Sequence, residues 1–320
     1  MRGSQLQEPR QQSQDGETSP THRGAGLPGG LGTLPPLLAD RYALGPLLGA
    51  GANARVVRAR DLALQREVAI KLFHVRGASP LVREDQFEEG RILASLNHPA
   101  VTTLFDLGTD TSSTAAAQIY LVMEYVPGPD LRERLFDGPL RYRQVCTLGE
   151  DLCDALEYLH GTGLLHRDIK PANVLLAHHR THPRLGGKLT DFGLASPATT
   201  PHHYGVITGT AAYIAPEQAL DLPATAASDV YSLGLVLLEA LTATRAYPGP
   251  PEDAALDRLD RQPVIPTRIP APLAQLLDEM TAREPDDRPT ARQAAQQFRD
   301  LVTGQLPTHR FPTAAASRNQ

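Results

Sequence analysis

The chain has 320 residues, of which 41 % are hydrophobic and only 5 % aromatic, with no tryptophan and a formal net charge of −5. That length suits one large or two small domains, the core must be built from Leu, Val, Ile and Ala, and the charge gives no general attraction to nucleic acid or to an anionic membrane. No apolar run reaches the roughly 20 residues of a membrane span; the best stretch, Leu233 to Leu238, runs into Glu239, and the Gln-rich N-terminus has no apolar segment of the signal-peptide kind.

Residues 1–40 are dominated by Gln, Gly, Pro, Ser and Arg and read as a disordered tail. From Arg41 the pattern changes. Tyr42 to Leu48, Arg55 to Asp61 and Glu67 to Phe73 are short runs divided by Gly-rich or polar breaks, which predicts antiparallel strands. Phe87, Ile92, Leu93 and Leu96 form a helical stripe that Asn97-His98-Pro99 stops. Val101 to Leu107 and Ile119 to Tyr125 return to strand character, completing a small lobe at 41–125. The remainder, 126–304, reads as mainly helical. Val145, Leu148, Leu152, Leu156 and Leu159 recur at helical steps, Val230 to Leu241 is apolar on nearly every side as a central helix should be, Pro263 to Pro272 connects, and Leu273 to Met280 and Thr290 to Val302 close the lobe. Residues 305–320 are a polar tail. Cys146 and Cys153 fall on one helix about two turns, roughly 10 Å, apart. That is too far for a disulfide, so both are expected as buried free thiols in a reducing compartment.

The chemistry concentrates in His166-Arg167-Asp168-Ile169-Lys170-Pro171-Ala172-Asn173, followed by Asp191-Phe192-Gly193. Two acids, a lysine and an amide close together are what phosphoryl transfer needs: an acceptor for the hydroxyl proton, oxygen ligands for a metal, and positive charge beside the transferring group. Lysine usage points the same way. Among 31 basic residues the only lysines are Lys71, Lys170 and Lys188, so each is expected where a compact ammonium is needed and a planar guanidinium is no substitute. Lys71 ends Val68-Ala69-Ile70-Lys71 and Lys170 follows Asp168, whereas Lys188, before Asp191, reads as a solvated strand residue.

These blocks resemble the protein kinase family, whose signatures read H-R-D-x-K-x-x-N and D-F-G, and in particular its bacterial eukaryotic-like (Hanks-type) serine/threonine group. The resemblance implies an α+β, two-lobed fold, ATP and Mg²⁺ as cofactors, and protein Ser/Thr side chains as substrates. It implies Asp168 as acceptor of the hydroxyl proton, Lys170 and Thr210 beside it, Asn173 and Asp191 as metal ligands, and Lys71 on the α- and β-phosphates with Glu89 (Glu88 being adjacent) as its partner. Leu48, Gly49, Ala50, Gly51, Ala52, Asn53, Ala54, Arg55 and Val56 resemble the Gly-rich phosphate loop, with Ala54 in place of the third glycine. Val56, Ala69, Glu124, Val126 and Leu175 complete the nucleotide set. Gly209 to Glu217 resembles the end of an activation segment. There Glu217 pairs with Arg288, Asp229 braces the catalytic loop, and Thr199, Thr200 and Thr208 are candidate phosphorylation sites. His202, His203 and Tyr204 stand where bacterial relatives are expected to carry threonines.

A cytoplasmic kinase without nucleic-acid partners or a membrane span is the resulting expectation, with homodimerisation through the small lobe open. Two other readings remain at this point: an ATP-binding pseudokinase, supported by Ala54 alone, and a small-molecule phosphotransferase, against which the Gly-Thr-x-x-Tyr-x-Ala-Pro-Glu element speaks. Zinc ligation by His178, His179 and His182, or by His202 and His203, has no neighbouring cysteine to favour it, and these read as loop residues.

Overall fold

The computed structural model describes residues 37–51, 54–73, 87, 90–111, 118–178, 184–191, 196–197 and 212–304. The first part is one antiparallel sheet of β1 (Leu37–Leu38), β2 (Tyr42–Ala50), β3 (Ala54–Asp61), β4 (Arg66–Phe73), β5 (Leu104–Asp110) and β6 (Gln118–Glu124), in the order β1-β2-β3-β4-β6-β5. Successive strand residues face opposite sides, and β4 uses both. Val68, Ile70 and Leu72 join Leu38, Tyr42, Val57, Ala59, Tyr120 and Val122 in one apolar cluster. Ala69, Lys71 and Phe73 look the other way, and the register sets Lys71 between Val56 of β3 and Leu121 of β6. That face also carries Ala54 and Met123, opposite Phe73 and Ala69. Beneath it lies the helix through 90–95 (α1), which buries Ile92 and Leu93 as its stripe requires.

The second part is helical: α2 (Leu131–Leu135), α3 (Tyr142–Gly161), α4 (Pro216–Ala219), α5 (Ala226–Thr242), α6 (Pro251–Asp260), α7 (Ala271–Met280) and α8 (Ala291–Thr303). A hairpin of β8 (Val174–His178) and β9 (Leu185–Leu189) and the short pair β7 (Leu164–Leu165) with β10 (Ser196–Pro197) lie among them. The five apolar positions of the α3 stripe are all buried. Along α5, Val230, Leu233, Leu235, Val236, Leu237 and Leu238 are at most 2 % exposed, so truncating any one of these four leucines to Ala should cost about 2–5 kcal/mol. Both cysteines are free and buried; burial raises the Cys146 thiol to about 11 and Cys153 further, so neither is a thiolate at neutral pH. Among the described residues no helix is long and apolar enough to cross a membrane.

Four differences from the sequence reading stand out. The sheet starts at Leu37, inside the stretch read as tail, because Leu38 is 3 % exposed in the cluster with Tyr42. The fifth strand starts at Leu104, not Val101; Val101 instead forms an isolated parallel bridge to Leu189. Besides the single-turn α4, two helices were not expected. The five-residue α2 is too short to show a period and is held by its cap, in which the Asp130 carboxylate accepts from Glu133 N at 2.7 Å. The helix α6 starts inside Pro248-Gly249-Pro250-Pro251, which reads as loop, yet a proline is well placed in a first helical turn.

Candidate active site

The candidate catalytic stretch is held by one carboxylate. Asp229 stands in the first turn of α5, where the helix dipole favours an anion. Its Oδ2 accepts from His166 N and its Oδ1 from Arg167 N, both at 2.9 Å, and Oδ2 lies 3.0 Å from His160 Nε2. Burial by itself would raise this carboxyl; the bond and charge of His160 and the Arg167 amide outweigh it and hold Asp229 below the usual carboxylate range. The same grip fixes an unusual backbone. Arg167 has φ 63°, a left-handed value that L-residues rarely adopt, and Asp191, outside the reach of Asp229, independently has φ 62°. Both lie at or beside candidate reacting positions, and such strain clusters at functional sites.

One residue on, the two oxygens of Asp168 are treated differently. Oδ2 accepts from Lys170 Nζ at 2.7 Å and from Asn173 Nδ2 at 2.9 Å. Oδ1 is buried and has no hydrogen-bond partner among the described residues. An unsatisfied buried acceptor costs roughly 1–3 kcal/mol, and a hydroxyl presented here would remove that cost. Asn173 Nδ2 also donates to the Asp168 carbonyl at 2.8 Å. Both of its amide hydrogens are therefore committed, and its carboxamide oxygen is left to accept from, or ligate, something else.

Across the cleft Lys71 Nζ donates to Asp191 Oδ1 at 2.8 Å, with the lysine side chain 11 % and the aspartate 45 % exposed. Desolvation by the surrounding protein acts to raise the Asp191 carboxyl, but the Lys71 charge and hydrogen bond, with Lys170 and His166 behind them, hold it low and ionised. Ala69 and Lys71 share a face of β4, and Val56 stands opposite Lys71. Ala69 and Val126 are buried, and Val56 and Leu175 half-buried, as pocket walls should be. Leu48, Gly49, Ala50, Gly51 and Arg55 are exposed on the β2–β3 hairpin, which Gly51 N closes on Ala54 O at 2.8 Å, while Ala54 itself is buried. A Cβ added at Gly49 would meet open space and one at Gly51 only an ordinary contact with Ala54 O. Packing does not require these glycines, which suits a loop that a phosphate approaches closely. Carboxylate, carboxamide oxygen, ammonium and open loop together are a donor set that fits magnesium and a triphosphate.

Ala52, Asn53, Glu88, Glu89, Thr199, Thr200, Thr208 and Thr210 lie outside the described residues, as do His179, His182, His202 and His203. Glu124 ends β6 beside Val126, and here the structure corrects the sequence reading. Lys188 is not a solvated strand residue. Its Nζ donates to Glu124 Oε2 at 2.8 Å, with the lysine side chain 18 % exposed. The one sequence signal for it was the scarcity of lysine. His160 was missed as well, since nothing in its local pattern announces a bond to a residue 69 positions away.

Below the site, Arg288 spends all five guanidinium donors. It forks onto Glu217 with two bonds of 2.8 Å and gives the others to the carbonyls of Ala227, Ala282 and Arg283. Ser228 Oγ adds a 2.6 Å bond to Glu217. Burial works to raise the Glu217 carboxyl, but Arg288 and Ser228 hold it low. The expected Glu217–Arg288 pair is thus formed, and it ties the segment after Tyr213 to the turn before α8.

The protein kinase domain pattern matches residues 42–298. The chain is similar to the serine/threonine-protein kinase PknB of Mycobacterium leprae, 35 % identical over 292 residues, and to that of Mycolicibacterium smegmatis, 36 % identical over 293; each alignment covers 86 % of this chain and 45 % of the relative. It is likewise 36 % identical over 272 residues, 79 % of its length, to a probable serine/threonine-protein kinase of Streptomyces coelicolor, of which it covers 38 %. The chain therefore spans less than half the length of these curated relatives. With a sheet face bearing Lys71 set over a helical base bearing Asp168, Asn173 and Asp191, and with this match over most of its length, the chain belongs to the protein kinase family.

Proposed function

We propose that this chain transfers the γ-phosphoryl group of ATP, with Mg²⁺, to serine and threonine hydroxyls of proteins. The observation that carries the reading is the asymmetry of Asp168: one oxygen pinned by Lys170 and Asn173, the other buried and unpaired among the described residues. That oxygen is placed to accept the proton of an incoming hydroxyl while the pinned one keeps the carboxylate from rotating. Lys170, bonded to Asp168, brings positive charge next to the attacking oxygen, and Lys71 holds Asp191 ionised and directed into the cleft. Asn173 and Asp191 would hold magnesium, which neutralises charge on the phosphates. Serine/threonine preference is supported by the lysine two residues after Asp168 and by the names of the relatives.

Autophosphorylation between Ala195 and Thr210 belongs to this reading, since Arg167 adjoins Asp168 as in kinases controlled by loop phosphate. So does a cytoplasmic setting, where the nucleotide is supplied. The test is labelling with γ-labelled ATP and casein, followed by phosphosite mapping of casein and of the chain itself. Phosphoserine or phosphothreonine is expected in both. Nucleotide binding with no transfer from an active-site-intact chain would leave the pseudokinase reading in its place.

A further inference from the structure

The three lysines share one property. Each gives its ammonium to a carboxylate at 2.7–2.8 Å: Lys71 to Asp191, Lys170 to Asp168 and Lys188 to Glu124. The first two pairs belong to the reacting centre. The third lies where β6 leaves the sheet for the helical part, with side chains 18 % and 28 % exposed.

Lys188 also begins a four-residue strut. Leu189 N donates to Ala100 O at 2.9 Å, and Leu189 O accepts from Thr102 N at 2.9 Å and Thr102 Oγ1 at 3.0 Å. Thr190 N donates to Asn173 O at 3.0 Å, and Asp191 receives Lys71. At the other end, Glu124 N donates to Thr103 O at 2.8 Å, and Glu124 Oε2 accepts from Thr103 N at 3.4 Å as well as from Lys188. A continuous line of bonds thus runs from the end of β6, through Lys188 and the 189–190 backbone, to both candidate metal ligands.

We propose that Lys188 is a positioning residue for the nucleotide: its bond to Glu124 sets the spacing between the β6 end, where the family resemblance sets the base, and Asp191, which would hold the magnesium on the phosphates. The inference rests on the ATP reading above. Chemistry favours lysine here, because one compact ammonium meets one carboxylate oxygen, whereas a guanidinium brings five donors and needs more acceptors.

The test measures the Mg–ATP Kd by calorimetry, kcat on casein at saturating ATP, and the melting midpoint without nucleotide, for wild type, Lys188→Met, Lys188→Arg, Glu124→Gln and the Lys188→Met/Glu124→Gln double variant. Loss of a half-buried ion pair should weaken Mg–ATP binding by roughly three- to ten-fold in Lys188→Met and in Glu124→Gln, with the melting midpoint little changed in both and kcat little changed in Lys188→Met. Lys188→Arg should fall between wild type and Lys188→Met, and the double variant should be no weaker than the singles. A Kd within two-fold of wild type in both single variants overturns the proposal, and so does a lowered melting midpoint with unchanged Kd, which marks a purely structural pair. If Lys188→Met does not fold, Glu124→Gln decides by the same criteria. Wild type that binds no Mg–ATP sinks the ATP reading and this inference together, whereas wild type that binds and transfers while the variants match it sinks only the inference.

Discussion

Replacing Asp229 by Asn is the most informative single change. The carboxylate takes two consecutive backbone amides at 2.9 Å and lies 3.0 Å from His160 Nε2, at 2 % exposure. Asn keeps the shape but only one acceptor oxygen, and its NH₂ then faces an amide hydrogen. Two charge-assisted bonds of about 1.5–3 kcal/mol each become one neutral bond of about 1, with a buried N–H orphaned at a further 1–3. Those contributions sum to about 3–8 kcal/mol, and the range for breaking a buried charged contact, about 3–5 kcal/mol, sets the expected loss. In a domain of this size that lowers the melting midpoint by roughly 6–20 °C. Function should suffer more than stability alone explains. Once released, Arg167 can leave φ 63°, a conformation costing about 1–2 kcal/mol, and Asp168 moves with it. A displacement near 1 Å lowers turnover by about a hundred-fold. Denaturant titration and steady-state kinetics on casein at a temperature where the variant is folded give both numbers. Stability within about 1 kcal/mol of wild type together with kcat within three-fold would refute the bracing role.

Lys71→Met removes the ammonium facing Asp191 but leaves an apolar stem between Val56 and Leu121. Phosphoryl transfer should fall by at least about a thousand-fold while the melting midpoint stays within a few degrees, read by labelling and thermal unfolding. Arg288→Met strands Glu217 in a buried site, so the chain should lose about 3–5 kcal/mol; Glu217→Gln in the same background should add much less than it does alone, as a double-mutant cycle will show. The Glu217 carboxyl is held below its unfolded value, so its contribution is complete above the unfolded pKa and disappears as pH falls through the lower folded one. Denaturant stability measured from about pH 6 down to pH 3 should therefore fall less steeply in Glu217→Gln than in wild type.

What the sequence revealed followed local rules. Strands β2 to β4 and helices α3 and α5 advertise themselves by alternation, by a repeated three- or four-residue step, or by apolarity all round. The candidate site was legible because the phosphoryl transfer proposed for it needs Asp168, Lys170 and Asn173 on one short loop, where spacing in sequence is nearly spacing in space. Contacts between distant residues were legible only through family resemblance, as for Glu217 with Arg288, or not at all. Lys188 and Glu124 are 64 positions apart, and no local pattern tells a paired strand lysine from a solvated one. The late start of β5 has the same origin, because Ala100 and Thr102 bond to Leu189 and not to the sheet.

The central claim is that Asp168 accepts the proton of a hydroxyl attacking ATP. Asp168→Asn keeps the size of the side chain and removes the basic oxygen, so label transfer from γ-labelled ATP to casein should fall by at least about a thousand-fold, with the Mg–ATP Kd kept within a few-fold of wild type. Transfer that survives the substitution at near wild-type rate would contradict the account.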